Sequence, residues 1–275
     1  MSAMGQGGDP PQFLDRVIAI AEDAGRRIME IHAAGYAVHA KEDQSPLTAA
    51  DLAAHAAIVA GLTEIAADLP ILSEESSGIP YSQRRTWSRY WLVDPLDGTK
   101  EFIAGSREFT VNIALIENHE PVLGVVLAPA LQWCFAAARG HGAFKREAHG
   151  PAISMHTRKT APGRFVAAGS RSHGSEIQDR FFKALGPETE VLSMGSALKF
   201  CLVAEGRVDI YPRFGPTSEW DTAAAQCVVQ EAGGLVTDLH LAPLRYNTRE
   251  SFLNPHFLVI ADPAFDWRLY LKELA

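Results

Sequence analysis

The chain is poor in cysteine, in long apolar runs and in positive charge. Its three cysteines (Cys134, Cys201 and Cys227) form no C-x-x-C pair, and their odd number and apolar neighbours argue against a disulfide framework or a thiolate zinc site. No apolar run approaches the roughly 20 residues that a membrane-spanning helix needs. The net charge is −8, which argues against non-specific nucleic-acid binding, because that would need a basic surface.

The overall composition is that of a globular chain with a buried core. Of 275 residues, 47% are hydrophobic and 21% are charged, which suits one large domain or two modest ones. The first eight residues are polar and short, unlike a signal peptide. We therefore expect a cytoplasmic protein without a transmembrane segment. A weak peripheral contact with the cytoplasmic side of the inner membrane stays open as an alternative.

Apolar periodicity predicts helices and strands along the whole chain. The predicted helices span 10–34, 48–67, 176–185, 196–205 and 221–232. The predicted strands span 36–40, 71–73, 91–93, 109–116, 122–128, 133–138, 165–168, 190–193, 208–211, 235–237 and 257–260. Turn residues separate the three strands between 109 and 138, which indicates an antiparallel meander. Beyond the Gly- and Pro-rich stretch 139–163, predicted strands alternate with predicted helices, which is typical of α/β packing. We therefore place a domain boundary near residue 150.

The most informative segment is 91–102, where an apolar run ends at Asp94 and a second carboxylate follows at Asp97. Pro95 lacks an N–H, so we expect β-pairing to stop there and the Leu96 carbonyl to be free. Carboxylate and carbonyl oxygens are the ligands that hard divalent cations prefer. This order of residues therefore predicts a divalent-metal site.

Gly98 and Thr99 follow directly and suit a bound anion. Glycine lets the backbone approach a ligand closely, and threonine offers a hydroxyl and an amide near a helix start. With the two carboxylates, they predict metal-assisted chemistry on an anionic substrate.

Three further acidic points lie elsewhere: Asp51, the pair Glu74-Glu75 at a strand end, and Asp221 at a helix start. Taken singly, Asp51 and Asp221 are best interpreted as stabilising carboxylates at helix N-termini, and the two glutamates as a solvated loop. Asp94 and Asp97 can also be turn residues. That interpretation is weaker, because the two carboxylates flank Pro-Leu directly before Gly-Thr.

In combination, these segments resemble the motifs of a known family. Residues 94–99 (Asp-Pro-Leu-Asp-Gly-Thr), 220–224 (Trp-Asp-Thr-Ala-Ala) with 232–234 (Ala-Gly-Gly), and 73–76 (Ser-Glu-Glu-Ser) look like motifs of the inositol-monophosphatase superfamily. The resemblance runs from about residue 13 to 260. Lys-Glu-Phe at 100–102 favours the bisphosphate nucleotidase branch, to which segments 45–51, 169–173, 195–206 and 211–217 are also similar.

The resemblance implies a layered α-β-α-β-α sugar-phosphatase fold that combines α+β and α/β parts. Residues 1–150 would form an N-terminal α+β domain carrying most metal ligands. Residues 151–275 would form a C-terminal α/β domain that completes the site and binds the nucleotide. The implied reaction is Mg²⁺-dependent hydrolysis of the 3′-phosphate of adenosine 3′,5′-bisphosphate to AMP and phosphate, with the sulfated relative of that nucleotide as a further substrate.

The resemblance also implies a role for each acidic residue. The metal ligands would be Glu74, Asp94, the Leu96 carbonyl, Asp97 and Asp221, holding two Mg²⁺ ions, with a third as an alternative. Two ions roughly 3.5–4 Å apart can hold the attacking and leaving oxygens of an in-line displacement. Thr99 would orient the attacking water and Asp51 would accept its proton, while Glu75 would assist a second water or support Glu74.

Substrate contacts are implied at Glu74, at residues 94–99 (the metal loop) and at five later residues. The set is Glu74, Leu96, Asp97, Gly98, Thr99, Gly195, Ser196, Lys199, Arg213 and Asp221. Ser196 and Lys199 share a face of the helix predicted over 196–205, and Arg213 follows a strand and can grip a phosphate. Without the resemblance, Ser196, Lys199 and Arg213 would be interpreted as ordinary surface residues. Arg171 is assigned to the site by the same resemblance. Glu219, next to Asp221, departs from the family pattern.

Other functions remain open at this point. Haloacid-dehalogenase phosphatases have a similar Asp-Gly-Thr triplet, but they separate their two aspartates by one residue, and here two residues intervene. An inositol-phosphate or other sugar-phosphate phosphatase on the same fold is the enzyme alternative. A non-catalytic sensor of bisphosphate nucleotides is the alternative of another class. We expect a small-molecule substrate and no nucleic acid, and a homodimer stays open.

Overall fold

The apolar periodicities fold into sheets and helices in a computed structural model that describes residues 9–35, 38–40, 46–148, 150–169 and 176–272. The helices are α1 Pro10–Ala34, α2 Ala49–Ile65, α3 Tyr81–Arg84, α4 Thr99–Ile103, α5 Glu176–Leu185, α6 Leu198–Ala204, α7 Glu219–Glu231 and α8 Arg268–Leu271. The strands are β1 Val38–Ala40, β2 Pro46–Thr48, β3 Ile71–Ser73, β4 Arg89–Asp97, β5 Thr110–Glu117, β6 Glu120–Ala128, β7 Trp133–Ala138, β8 Ala143–Glu147, β9 Ile153–Met155, β10 Val166–Gly169, β11 Glu190–Ser193, β12 Ile210–Arg213, β13 Leu235–Asp238 and β14 Phe257–Ile260. Within the described ranges, no helix is long and apolar enough to cross a membrane.

The larger sheet is the meander that the sequence predicts. Its order within the described chain is β3-β4-β5-β6-β7-β8-β9, parallel between β3 and β4 and antiparallel elsewhere. Side chains alternate between faces along each strand. On β5, Val111 and Ile113 pack with α1 and α2, whereas Ala114 and Ile116 pack with α7. The sheet is therefore covered by helices on both faces.

The smaller sheet completes the layered arrangement. Its order among the described residues is β11-β10-β12-β14-β13, with β10 parallel to β11 and β12, and β14 antiparallel to both its neighbours. One face joins the core that contains α6 and α7, and the other packs with α5 and the segment before α8. The layers are thus α1/α2, larger sheet, α6/α7, smaller sheet and α5/α8, which confirms the predicted α-β-α-β-α fold.

The middle layer lies unusually close to the larger sheet. A Cβ at Gly124 on β6 would lie 2.1 Å from the Ala224 carbonyl oxygen of α7. Glycine is required there because any side chain would collide with the helix backbone. This close approach brings the start of α7, and with it Asp221, against the larger sheet.

Several local predictions need correction. The strand predicted over 91–93 extends over Arg89–Asp97. β-Pairing does not stop at Pro95, because it skips two residues and resumes at Asp97 opposite Thr110. The helix predicted over 196–205 begins at Leu198, since Ser196 has a left-handed φ of 49°.

Other differences concern what the sequence analysis left out. Strands β8 and β9 lie in the stretch interpreted as irregular, so the larger sheet ends at Met155. The short helices α3, α4 and α8 were also missed. Tyr36, predicted to begin a strand, lies outside the described residues, and the division near residue 150 stays a prediction.

Candidate active site

The first part of the site is a bulge in β4. Asp94 pairs with Asn112, and the next pair joins Asp97 to Thr110, so Pro95 and Leu96 form an irregularity between them. The missing N–H of proline explains why the ladder breaks there. The Leu96 N–H turns back to donate to the Asp94 Oδ1 at 3.0 Å. The bulge therefore presents two carboxylates three residues apart at one edge of the site.

The second part is the start of α7. Ser218 precedes the helix in extended conformation and Asp221 is its third residue. The Ser218 N–H donates to the Asp221 Oδ2 at 2.9 Å, in the manner of a capping box. This bond occupies one of the two carboxylate oxygens of Asp221.

The two parts meet in one acidic cluster. Carboxylate oxygens of Asp94, Asp97 and Asp221 all lie within 4.8 Å of one another. Burial raises the pKa of Asp94 and of Asp221 well above its usual range, and neighbouring carboxylates, including Glu74, raise both further. Like charges this close do not ionise together unless a cation compensates them. The cluster is therefore built from hard oxygen ligands that suit a divalent metal ion.

Asp97 differs from its two neighbours because it lies near the Lys199 ammonium. Burial raises the pKa of Asp97 to about 6, against the opposing effects of the Lys199 ammonium and the Ala197 N–H. Its Oδ2 accepts from the Ala197 N–H at 2.7 Å and from the Thr110 hydroxyl at 3.3 Å. These bonds fix the orientation of the Asp97 carboxylate beside the cluster.

Thr99 and Asp51 form a separate pair beside the cluster. The Thr99 hydroxyl lies 3.2 Å from the Asp51 Oδ1 and 3.2 Å from the Leu96 carbonyl oxygen. Asp51 is buried at the start of α2, where its Oδ2 accepts from the Thr48 N–H at 2.8 Å and the Thr48 hydroxyl at 2.7 Å. The structure thus brings together the two residues predicted to handle the proton.

Glu74 and Glu75 form a 3₁₀ turn with Ser76 directly after β3. Glu74 lies near enough to the cluster to raise the pKa of Asp94, Asp97 and Asp221. Glu75 instead lines an open groove beside Glu74, together with Trp220 and Phe252. Their predicted roles as a metal ligand and a supporting carboxylate are compatible with these positions and stay predictions.

A cavity of about 130 Å³ opens on the other side of the cluster. Its lining includes the predicted substrate residues Asp97, Gly98, Ser196, Lys199, Arg213 and Asp221, and also Glu101, Tyr211 and Phe257. Six of the ten predicted substrate residues thus line this cavity, whereas Glu74, Leu96, Thr99 and Gly195 do not. Their roles as substrate contacts stay predictions.

Lys199 and Arg213 supply positive charge to this cavity. Lys199 is buried, and its Nζ donates to the carbonyl oxygens of Ser196 at 2.8 Å and Met194 at 3.2 Å. Burial lowers the pKa of Lys199 to about 8, while Asp97 raises it and Arg213 lowers it further. Arg213 donates from Nη2 to the Pro216 carbonyl at 3.0 Å, and its buried Nε has no hydrogen-bond partner among the residues described. The cavity is thus lined by two cationic side chains, and the unpaired Arg213 Nε can donate one more hydrogen bond. Both features suit an anionic ligand.

Segment 195–197 ties the second half of the chain to the metal loop. The Ser196 Oγ lies 2.9 Å from the carbonyl oxygens of Asp97 and of Glu108, and the Gly195 N–H donates to the Glu108 carboxylate at 2.8 Å. A Cβ at Gly98 would lie 2.2 Å from the Ser196 Oγ, and Gly98 has a left-handed φ of 88°. Glycine is therefore needed at 98 both for its conformation and for this contact.

Sequence reasoning missed Glu108 and Ala197, whose polar groups make these contacts, because neither belongs to a chemical motif. It also left Glu219 unexplained. Both carboxylate oxygens of Glu219 accept from the Asn247 N–H, at 3.0 and 2.9 Å, and burial raises its pKa to about 7. Glu219 thus anchors the start of α7 to the 247 loop. Ser45 and Arg171 lie outside the described residues.

Comparison with known proteins finds consistent relatives. A model of the inositol monophosphatase family matches residues 12–265. The chain is 49% identical over 249 residues to the 3′(2′),5′-bisphosphate nucleotidase CysQ of Escherichia coli O157:H7, covering 90% of this chain and 99% of that one. Among solved structures, CysQ from Bacteroides thetaiotaomicron is 40% identical with a TM-score of 0.76, covering 90% and 96% of the two chains. The IMPase TM1415 of Thermotoga maritima is 27% identical with a TM-score of 0.78, covering 94% and 96%.

Proposed function

Because the chain belongs to the inositol monophosphatase family, we propose that it is a metal-dependent 3′(2′),5′-bisphosphate nucleotidase like its CysQ relatives. It hydrolyses the 3′-phosphate of adenosine 3′,5′-bisphosphate to AMP and phosphate. The observation that carries this proposal is the junction of an acidic cluster with a cationic cavity. Asp97 belongs to both, with Lys199 and Arg213 on the cavity side. A substrate with two phosphates can place one on each side of that junction.

Glu74, Asp94, the Leu96 carbonyl, Asp97 and Asp221 would hold the metal, which we propose to be two Mg²⁺ ions, with a third as an alternative. When bound, such ions lower the pKa of coordinated water and offset the charge on the phosphate oxygens. The fit rests on the donor set, since three carboxylates within 4.8 Å of one another offer only hard oxygens. The raised pKa values of Asp94 and Asp221 express the same need for positive charge.

Thr99 and Asp51 move the proton of the attacking water. The Thr99 Oγ1 would accept a hydrogen bond from water and donate its own proton to the Asp51 Oδ1 at 3.2 Å, because the Leu96 carbonyl at the same distance would be a metal ligand. As the water attacks phosphorus, its proton passes to Thr99 and the threonine proton passes to Asp51. Two bonds from Thr48 to the other oxygen hold Asp51 in place for this transfer. Glu75 assists a second water or supports Glu74.

The substrate contacts divide between the two sides of the site. The amides of Gly98 and Thr99 face the phosphate that is cleaved, while Lys199 and Arg213 bind the phosphate that remains. Gly195 and Ser196 shape the wall between them. The Ser196 hydroxyl proton is directed to protein carbonyls, so its oxygen accepts rather than donates when the nucleotide binds.

Phosphate release with Mg²⁺ tests this function, with adenosine 3′,5′-bisphosphate, its sulfated relative and inositol 1-phosphate assayed side by side. We expect a strong preference for the nucleotides, with AMP as product from the first, and loss of turnover with a chelator. Preference for inositol 1-phosphate would support the sugar-phosphate alternative. Nucleotide binding without phosphate release at saturating Mg²⁺ would support the sensor. A cytoplasmic location and a homodimer stay predictions, the second of which gel filtration tests.

A further inference from the structure

Asn112 is a buried polar residue that the proposed mechanism does not use. It lies on β5 with an exposure of 1%, and neither its amide nitrogen nor its amide oxygen has a hydrogen-bond partner among the described residues. The large majority of buried side-chain polar atoms in proteins are hydrogen-bonded, and leaving one unpaired costs roughly 1–3 kcal/mol. We therefore expect the Asn112 amide to have a hydrogen-bond partner when the protein is functioning.

The strand register places Asn112 beside the acidic cluster. Asp94 and Asn112 are directly opposite each other on β4 and β5, so their side chains lie on the same face, with Cβ atoms roughly 4.5–5.5 Å apart. On its other side Asn112 is opposite Val126 of β6, which is apolar. Among its cross-strand neighbours, only Asp94 can therefore exchange a hydrogen bond with the amide.

The neighbouring position on β5 shows the same relation already formed. Thr110 is two residues from Asn112, so it faces the same side of the sheet. It lies opposite Asp97, and its hydroxyl donates to the Asp97 Oδ2 at 3.3 Å. Two residues on from Asn112, Ala114 faces α7 and is apolar. The polar stretch of this face is thus confined to the two residues that lie beside metal-loop carboxylates.

The packing of α7 keeps water away from this position. At the neighbouring pair of β5 and β6, Ala114 and Gly124, the helix backbone lies directly on the sheet. No described residue forms a hydrogen bond with the side-chain amide of Asn112. Asn112 is therefore buried next to the carboxylates and is not exposed to solvent.

We propose that the Asn112 amide positions the Asp94 carboxylate for metal binding, and so sets how tightly the site holds a divalent cation. The proposal rests on the metal dependence of the proposed function. Carboxylates that bind metal are usually held by hydrogen bonds from behind, and loss of such a partner typically weakens metal affinity by roughly 10–100-fold. Asn112 does not touch the substrate, and it acts through Asp94.

The test compares Asn112→Leu with the unchanged chain, using Mn²⁺ alone as the probe. Isothermal titration gives the affinity for Mn²⁺, and thermal unfolding gives Tm without metal and with saturating Mn²⁺. We expect Mn²⁺ binding to weaken by roughly 10-fold or more, and the rise in Tm caused by Mn²⁺ to shrink accordingly. Without metal, Tm should stay equal or increase, because two unpaired polar atoms are replaced by apolar ones.

The control is Thr237→Val on β13. Its hydroxyl is also buried and without a partner among the described residues, but it belongs to the smaller sheet. This change should leave both the Mn²⁺ affinity and the Mn²⁺-induced rise in Tm unchanged. Asn112→Ala repeats the test with a smaller side chain, and it decides the matter if the leucine does not fit under α7.

The outcomes separate this inference from the proposed function. Normal Mn²⁺ affinity in folded Asn112 variants, or a lower metal-free Tm with an unchanged Mn²⁺ effect, would show a purely structural role and overturn the inference. In that case the unchanged chain would still bind Mn²⁺ and hydrolyse nucleotide. If the unchanged chain binds no Mn²⁺, the metal dependence of the proposed function fails, and the role of Asn112 fails with it.

Discussion

Helices α2 and α7 begin in the same way, yet the chemistry that we propose for their first turns differs. In each, a hydroxyl residue precedes the helix and an aspartate is the third helical residue: Thr48 with Asp51, and Ser218 with Asp221. In each, one carboxylate oxygen accepts from the backbone N–H of the preceding residue, at 2.8 Å in α2 and 2.9 Å in α7. The device leaves the other oxygen of both aspartates available.

The two aspartates have different neighbours, and these neighbours are the basis for the roles that we propose. The Asp51 Oδ1 meets the hydroxyl of Thr99, whereas Asp221 meets the carboxylates of Asp94 and Asp97. A hydroxyl next to a carboxylate makes a path for a proton, and carboxylates gathered together make a place for a cation. Under the proposed function, the same local structure would therefore supply a proton acceptor at one helix and a metal ligand at the other.

The largest expected effect comes from Asp221→Asn. It should lower kcat/KM on the order of 10³-fold, because one charged ligand is lost and several kcal/mol of metal-derived stabilisation go with it. The asparagine oxygen can still accept from the Ser218 N–H, so the start of α7 should persist. Steady-state kinetics and Mn²⁺ titration measure the change. Normal Mn²⁺ affinity in the variant would contradict the role of Asp221 as a ligand.

Asp51→Asn should separate the two helices most clearly. We expect kcat to fall by roughly 10²-fold, since a proton acceptor is lost, while Mn²⁺ affinity stays normal. Thr99→Val should cause a similar loss, and the double variant should lose little more, because both residues serve one proton path. Independent losses that multiply in the double variant would show that Thr99 and Asp51 act separately.

The next prediction concerns pH and the metal-free protein. Burial raises the pKa of Asp97 to about 6 from its ordinary 3.8, and the pKa values of Asp94 and Asp221 are raised as well. The folded state therefore holds protons that the unfolded state releases. The contribution of the Asp97 carboxyl group to the free energy of unfolding is thus greatest below about pH 4 and is lost as the pH rises through 6. The loss should amount to roughly 1–3 kcal/mol. Thermal unfolding between pH 4 and 7 measures it.

Mg²⁺ should cancel most of this loss, because the ion takes the place of the protons in the cluster. The comparison is the Tm of the same protein at pH 7 with a chelator and with Mg²⁺. In Asp221→Asn the metal-free loss should be smaller, since one of the repelling carboxylates is gone. If the Tm of the metal-free protein is unchanged or rises from pH 4 to 7, ionised carboxylates in the cluster do not destabilise the fold, and the prediction is wrong.

Sequence reasoning placed the start of α2 within one residue, whereas α7, predicted from Asp221, begins at Glu219. The spacing of hydroxyl and aspartate at Thr48 and Asp51, and again at Ser218 and Asp221, is local and acts within one turn. The order of Asp94, Pro95 and Asp97 likewise fixes a local break in a strand. Such features can be predicted because chain neighbours determine them.

What could not be predicted depends on contacts between distant segments. The left-handed conformation of Ser196 follows from its contacts with the carbonyls of Asp97 and Glu108, about 90–100 positions away. Asn112 looks like an ordinary strand residue until the register places it opposite Asp94. The burial of Lys199 was missed for the same reason, because only the packing of α6 into the middle layer removes it from solvent.

The smallest expected effect is a difference between the two N-caps. Thr48→Ala should reduce the free energy of unfolding by about 1 kcal/mol, because its hydroxyl accepts from the Ala50 N–H. It should also lower kcat several-fold, since the Thr48 hydroxyl donates to the Asp51 Oδ2 at 2.7 Å and helps to hold that carboxylate. Thr48→Ser should restore both quantities.

Ser218→Ala should leave Mn²⁺ affinity within about 2-fold, because the backbone N–H of residue 218 orients Asp221. Equal effects of the two alanine variants on kcat would mean that Asp51 needs no more positioning than Asp221.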